Sequence, residues 1–289
     1  MTLTLIIAAL FSATPAASPD NVHSVRVGSS PGSIELCTAV SISPNHAVSL
    51  CIFSPGDSVS VETTSGIRYP DSMVVSPDLG IVVMGFEERV FEDWQEPSST
   101  IPGAGEEVII VGQGLSGMIQ ISGRAVEQYP DGSILVSAEL REGLMGAAVF
   151  NGNGDYIGLI SGMIRPSGQF PDNEGRDYLV LYPSQIWYMW ARLVVLERDF
   201  SEYSFGVTAL SSISLTTSSS SGIQIVSVTS GSRAWECGLR PGDLITHING
   251  TPVYHPETLR GLLVLSTDTL IADVQRSNYF REISIPPFE

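Results

Sequence analysis

The chain has 289 residues, of which 43% are hydrophobic and 16% charged, a composition that indicates a globular protein and excludes an intrinsically disordered one. The length is sufficient for two domains with separate cores. The formal net charge is −17, and all 14 basic residues are arginines. An acidic chain without basic clusters argues against binding to nucleic acid or to anionic membrane surfaces.

The N-terminal sequence, MTLTLIIAALFSATPAASPD, has an apolar run from Leu3 to Phe11 followed by small residues. This order is typical of a secretory signal, so we expect a signal segment over residues 1–17 and a periplasmic or extracellular protein. The alternative is a buried N-terminal strand or helix. Elsewhere no stretch approaches ~20 consecutive apolar residues, so no stable membrane span is expected.

Short apolar runs separated by Gly, Pro, Asn and Asp continue from about Val22 to Ile164, as in an all-β barrel or sandwich. The main predicted strands are SVRVG, CTAVSIS, SVSVETT, IVVMGF, EVIIVGQ, MIQISGRAVEQY, SILVSA, AAVFN and YIGLISGMI. After YLVLYP, the segment SQIWYMWARLVVLERDF has apolar residues at helical spacing, and Ser184 is its predicted N-cap. A helix that closes a β domain follows from this pattern.

Three cysteines are present, Cys37, Cys51 and Cys237. Cys37 and Cys51 lie on either side of a strand, a turn and a second strand, so they can face each other across a hairpin as a disulfide. Two independent buried thiols are the alternative, because a free cysteine packs as a small hydrophobic residue. No metal-binding spacing of His or Cys occurs, and no cofactor is expected.

The sequence changes character after the serine-rich stretch of residues 211–221. It continues with the strand IQIVSV, the segment GLRPGDLITHING, a helix beginning near Pro256, and the strands LIADVQ and REISI. Gly238 and Gly242 supply turns, and Asn249-Gly250 is a strong hairpin signal. We therefore expect two domains, over residues 18–199 and 203–289, with the boundary near residues 198–203.

These segments resemble, in order, a trypsin-like serine protease domain and a PDZ domain, the arrangement of the HtrA/Deg family. The second part is the more specific, since SVTSGSRAWECGLRPGDLITHINGTPV is similar to the PDZ stretch with Ala-Gly-Leu-x-Pro-Gly-Asp and Ile-Asn-Gly. The resemblance implies a mainly β fold, a trypsin-like double β-barrel followed by a small α+β PDZ domain.

The same resemblance assigns the catalytic positions. VVSPDLGIVVM places Asp78 on the catalytic aspartate, and GLMGAAVFNGNGDYIGLISG places Met145 on the nucleophile and Gly143 in the oxyanion hole. The histidine position falls on Ile52 or Phe53. A thioether has no proton to lose, and neither Ile nor Phe accepts one, so the resemblance implies a pseudoprotease. His46, near the predicted turn, is expected to face solvent.

PDZ domains bind extended chain ends beside a sheet edge. By resemblance, Phe205, Gly206 and Val207 form the carboxylate loop, and Leu259, Leu262 and Leu263 are candidates for the groove wall. Each leucine can equally belong to the core of the domain.

Three functions compete. The chain is a non-catalytic adaptor for protein C-termini or unfolded segments, an active endopeptidase with a displaced nucleophile, or a regulatory subunit that assembles with an active protease paralogue or with itself. Loss of two triad members favours the non-catalytic alternatives.

Overall fold

The computed structural model describes residues 20–29, 33–51, 53–54, 56–76, 79–164, 177–197, 204–212 and 220–288. The predicted signal segment lies outside these ranges, and so does the predicted boundary near residues 198–203. Both therefore stay predictions.

The N-terminal unit is an antiparallel sheet of seven strands in the order β5-β4-β1-β2-β3-β7-β6. Its interior is filled by inward-facing residues such as Val25, Ala39, Val61 and Met84, because side chains alternate between the two faces of each strand. The strands are β1 (Val22–Ser29), β2 (Ser33–Ser43), β3 (His46–Ser49), β4 (Ser58–Thr63), β5 (Gly66–Arg68), β6 (Ser72–Ser76) and β7 (Ile81–Gly85).

Six further strands form a closed antiparallel barrel in the order β10-β13-β12-β11-β8-β9. Val108, Ile110, Val136 and Ile157 are among the residues that fill its interior. The strands are β8 (Glu107–Gly114), β9 (Gly117–Gln128), β10 (Ile134–Ala138), β11 (Ala148–Asn151), β12 (Tyr156–Ile164) and β13 (Tyr178–Pro183).

Helix α1 (Ser184–Val195) packs Trp187 and Trp190 into a core that it shares with residues of both sheets. The sequence predicted this helix, but the prediction of Ser184 as its N-cap is wrong. Pro183 holds the N-cap position, and Ser184 is the first helical residue. The Ser184 hydroxyl donates instead to the carbonyl of Ser98, at 2.6 Å. This bond ties the start of the helix to the loop that leads into β8.

The C-terminal unit is a small sheet in the order β14-β15-β16-β18-β19, with β17 paired to β16. Asn249 and Gly250 both have positive φ, 50° and 77°, and form the predicted tight turn between β16 and β17. The elements are β14 (Val207–Ser212), β15 (Gly222–Val228), α2 (Arg233–Glu236), β16 (Leu244–Ile248), β17 (Thr251–Pro252), α3 (Pro256–Leu265), β18 (Leu270–Arg276) and β19 (Tyr279–Ile285).

The predicted mainly β architecture is therefore confirmed, and each listed strand segment lies on an observed strand. Within the ranges described above, no helix is long and apolar enough to cross a membrane.

Candidate functional site

The loop at the predicted nucleophile position connects β10 to β11 and contains two glycines in the left-handed region. Gly143 has φ 84° and Gly146 has φ 73°. A Cβ on Gly143 would collide with the carbonyl of Gln113, so only glycine fits where this loop passes β8. Between these glycines lies Met145, whose side chain is 57% exposed. The loop therefore presents Met145 outward.

Backbone bonds hold this loop against the barrel. The Gly146 N–H donates to the carbonyl of Ile160 at 2.8 Å, and the Ala147 N–H donates to the carbonyl of Leu144 at 3.1 Å. The loop faces the segment that follows β3, because a Cβ on Gly146 would lie 3.7 Å from the Cβ of Leu50. The predicted nucleophile position thus faces the segment that carries the predicted histidine position.

Of the two candidates for the histidine position, Ile52 and Phe53, only Phe53 is among the described residues. Phe53 packs its partly buried ring against the core of the first sheet, among residues such as Val59 and Phe91. Ile52 lies outside the described residues, as does Asp78. The assignment of the histidine position to Ile52 or Phe53 therefore stays a prediction.

The histidines of this part of the chain have other partners. His46 was predicted to face solvent, and that prediction is wrong because the side chain is buried, with 9% exposed. Its Nδ1 lies 3.0 Å from both Ser43 Oγ and Asn45 Oδ1. Burial lowers its pKa below the usual 6.5, with Glu197 opposing the shift. None of these partners belongs to the nucleophile loop.

Cys37 and Cys51 form a disulfide, with Cα atoms 6.0 Å apart. The bond links β2 to the segment just after β3, one residue before Ile52. Ser49 adds a second tie there, because its hydroxyl donates to the carbonyl of Thr38 at 2.6 Å. The segment leading to the histidine position is therefore fixed to its neighbouring strand.

A second candidate site lies in the C-terminal unit, where a groove of about 670 Å³ runs between β14 and α3. β14 is an edge strand, paired only with β15 among the described strands. Its free edge faces α3 across the groove, and the loop of Ser204, Phe205 and Gly206 closes one end.

This loop has its carbonyls turned inward. The Phe205 carbonyl accepts from the Ala234 N–H at 3.1 Å, and the Gly206 carbonyl accepts from the Thr229 N–H at 2.8 Å. Within the described part of the chain, the N–H groups of Phe205 and Gly206 donate to no acceptor. Gly206 has φ 79°, and a Cβ there would collide with Ser232. The loop can thus offer adjacent amides to an anion.

The predicted groove residues Phe205, Gly206, Val207, Leu259 and Leu263 all line this groove. Leu259 and Leu263 also belong to the domain core, with 2% and 5% of their surface exposed. Each of them therefore both lines the groove and packs in the core, the two roles considered for it. The third candidate, Leu262, packs against that core and does not line the groove.

Several lining residues were not among the predicted ones, and Arg260, Val264 and Phe288 are three of them. Arg260 and Val264 are four positions apart and therefore share one face of α3. Helical spacing was a sufficient signal for them. Phe288 is positioned by tertiary contacts, because Arg233 donates to the carbonyl of Pro286 at 2.6 Å and to that of Pro287. No local pattern connects these residues.

Helix α3 also contacts the rest of the chain. The Thr258 hydroxyl donates to the carbonyl of Ile186 in α1, and a Cβ on Gly261 would lie 2.7 Å from the Met189 carbonyl. The His255 imidazole lies between the Tyr182 hydroxyl, at 3.1 Å, and the Ser211 hydroxyl, at 3.2 Å. One wall of the groove is therefore packed on α1.

Comparison with known proteins agrees with this geometry. A PDZ-domain family model matches residues 224–271. The C-terminal unit is a PDZ domain. No curated protein sequence matches the chain.

Solved structures share the fold of both units. The serine endoprotease from Yersinia pestis is 16% identical, with a TM-score of 0.50 and 93% of each chain covered. The HtrA-type protease AlgW with a tripeptide is 15% identical, with a TM-score of 0.55 and 93% of each chain covered. AlgW with a decapeptide is 15% identical, with a TM-score of 0.53 and coverage of 93% of this chain and 95% of the other. The trypsin-like fold precedes the PDZ domain in this chain, as the sequence predicted.

Within the described ranges, no group of His, Cys, Asp and Glu side chains is placed to hold a metal ion.

Proposed function

We propose that this chain is a non-catalytic HtrA-like protein that binds the C-termini of other proteins, or extended segments of them, in the groove of its PDZ domain. Its role would be that of an adaptor, a scaffold or a regulatory subunit. The observation that carries the proposal is the free edge of β14, which faces α3 and ends at a loop with two amides available to a carboxylate. AlgW, which has the same fold, was solved with a tripeptide and a decapeptide.

Met145 supports the non-catalytic part of the proposal. Acyl transfer requires a nucleophile that loses a proton to a base, and a thioether sulfur carries no proton. Gly143 and Gly146, which flank Met145, both have positive φ, as glycines in a tight loop do. Even an intact oxyanion hole would have no tetrahedral intermediate to stabilise here, because no nucleophile forms one.

Peptide binding is tested by fluorescence anisotropy with a labelled decapeptide that ends in an apolar residue and a free carboxylate. The matched control is the same peptide with a C-terminal amide. We expect saturable binding of the free acid and at least tenfold weaker binding of the amide. Equal binding, or no binding at millimolar concentration, would contradict the proposal.

The catalytic part is tested by casein degradation with the wild type and with two double variants, Met145→Ser with Ile52→His and Met145→Ser with Phe53→His. We expect no degradation by the wild type. Cleavage by the purified wild type, together with labelling by a fluorophosphonate, would instead show an endopeptidase with a displaced nucleophile. Activity gained only with Ile52→His would locate the histidine position.

We also propose that the protein is exported. The Cys37–Cys51 disulfide supports this, since structural disulfides persist in oxidising compartments. Fractionation of the cells that express the chain tests it, and recovery only with the cytosol would contradict it.

A further inference from the structure

Strand β6 of the first sheet (Ser72–Ser76) exposes large apolar side chains to solvent. Met73, Val74 and Val75 are 43%, 38% and 54% exposed, although successive side chains of a strand point to opposite faces. Within the described part of the chain, none of the three belongs to the cores that the first sheet contributes to. Both faces of β6 are therefore apolar and open to solvent.

The same strand has a free edge. It ends the seven-stranded sheet and pairs, among the described strands, with β7 alone. In an antiparallel pair, alternate residues direct their N–H and carbonyl groups to the neighbouring strand, so the groups of the other residues point outward. An edge of this kind is a template for pairing with another strand.

The opposite edge of this sheet is protected against pairing, and β6 is not. β5 (Gly66–Arg68) has three residues and carries a charge at Arg68, and both a short length and a charge oppose pairing. β6 has five residues, SMVVS, none of which is charged. Pro70 and Pro77 flank it in the sequence, and because proline lacks an N–H they limit pairing to this segment.

The sequence of β6 fits a second copy of itself. With a two-fold axis through Val74, antiparallel pairing places Ser72 opposite Ser76 of the second copy. Met73 then lies opposite Val75, and Val74 opposite its own counterpart, so one strand supplies both sides of the contact. Copies of a chain with formal net charge −17 repel each other, and a contact through an uncharged segment adds no further repulsion at its centre.

We propose that β6 is the surface through which two copies of this chain associate, as an antiparallel pair of β6 strands with Val74 on the two-fold axis. The pairing joins the two seven-stranded sheets edge to edge. A single pair of short strands is a small interface, so we expect a reversible dimer with a Kd of about 10 to 100 µM. Peptide binding in the PDZ groove is not required for this association.

Sedimentation velocity of the purified protein, from about 1 to 200 µM, tests the association. We expect the sedimentation coefficient to rise with concentration, and the Kd to fall in about 1 M salt, because salt screens the repulsion between acidic copies. Val74→Arg should weaken association at least tenfold, since two like charges would lie directly opposite each other. Val226→Arg is the matched control, because Val226 is an exposed valine of β15, which has a paired strand on both sides. This control should keep the wild-type Kd.

Crosslinking tests the register, in a Cys237→Ser background that removes the free thiol. Val74→Cys should form a disulfide-linked dimer under mild oxidation, because opposite Cα atoms of an antiparallel pair lie about 4.5 to 5.5 Å apart. Met73→Cys should crosslink efficiently only when mixed with Val75→Cys. Val226→Cys should stay monomeric.

Three results would each overturn the proposal. They are a protein that stays monomeric at every concentration, an association that Val74→Arg leaves unchanged, and equal crosslinking at positions 74 and 226. None of them would bear on the proposed function, which is tested by peptide binding.

Discussion

The guanidinium of Arg233 lies over the ring of Phe288, 4.3 Å from the ring centroid. The same guanidinium holds the carbonyls of Pro286 and Pro287, so the segment before Phe288 is fixed to the start of α2. The Ala234 N–H donates to the carbonyl of Phe205 in the loop that closes the groove. Arg233 therefore places an aromatic ring from the far end of the sequence in the groove wall.

Removing this ring should change which terminal residue the groove accepts. In Phe288→Ala, a peptide ending in Val loses apolar contact, while a peptide ending in Phe gains space. We expect the ratio of affinities to move toward the Phe peptide by about fivefold, equivalent to about 1 kcal/mol. Anisotropy titrations with the two peptides measure the ratio. Phe280→Ala, at a ring that is 69% exposed and outside the groove, should leave it unchanged.

Gly206→Ala should abolish peptide binding. Its positive φ disfavours any residue with a Cβ, and the added methyl would collide with Ser232, so the loop must move away from the groove. Gly231→Ala is the matched control, because Gly231 has φ 74° and open space around its Cβ. Both variants should lose about 1 kcal/mol of unfolding free energy from the backbone alone. Only Gly206→Ala should lose binding in titrations, and retained binding would show that the loop does not form the end of the site.

Local sequence patterns were sufficient for much of the fold. The turn at Asn249-Gly250 was predictable because its two positive φ angles suit Asn and Gly, and the neighbouring strand alternates as expected. Phe205 and Gly206 were found through a short motif whose residues are adjacent in sequence. In each of these cases, residues a few positions apart determine the structure.

Features set by distant contacts were not predictable in this way. His46 follows a turn signal and was expected to face solvent, yet Gly85 of β7 pairs with it and the side chain is buried. Ser184 has the side chain of an N-cap, but its hydroxyl bonds to Ser98, 86 positions away. Phe288 is held in the groove wall by Arg233, and no periodicity in the sequence indicates such a contact.

Acidification should destabilise the protein through His23. Burial lowers the pKa of His23 to about 4, an effect only partly offset by a backbone hydrogen bond with Glu62, and Nε2 lies 3.0 Å from Ser41 Oγ. The unfolded chain, with a histidine pKa of about 6.5, binds a proton between pH 6.5 and 4 that the folded chain does not. Stability therefore falls as the pH decreases through this window.

Between pH 7 and pH 5 the loss from His23 should be about 2 kcal/mol. Urea titrations followed by tryptophan fluorescence measure it, and His23→Gln should show a smaller difference between the two pH values. His46, whose pKa is also lowered by burial, accounts for part of what remains. An unchanged difference between the two pH values in His23→Gln would mean that folding does not alter the pKa of His23, which would contradict the prediction.

The Cys37–Cys51 disulfide should contribute to stability by restricting the unfolded chain. Its two cysteines are separated by 14 positions, and a loop of this length corresponds to about 3 kcal/mol in the chain-entropy model. The double variant Cys37→Ser, Cys51→Ser should therefore unfold at lower urea concentration than the oxidised wild type, and reductant should affect only the wild type. Cys237→Ser, at the free cysteine, is the matched control and should keep the response to reductant. If reductant leaves the wild-type midpoint unchanged, the segment before the histidine position is held by Ser49 and the packing of β2 and β3, and the case for export loses its structural support.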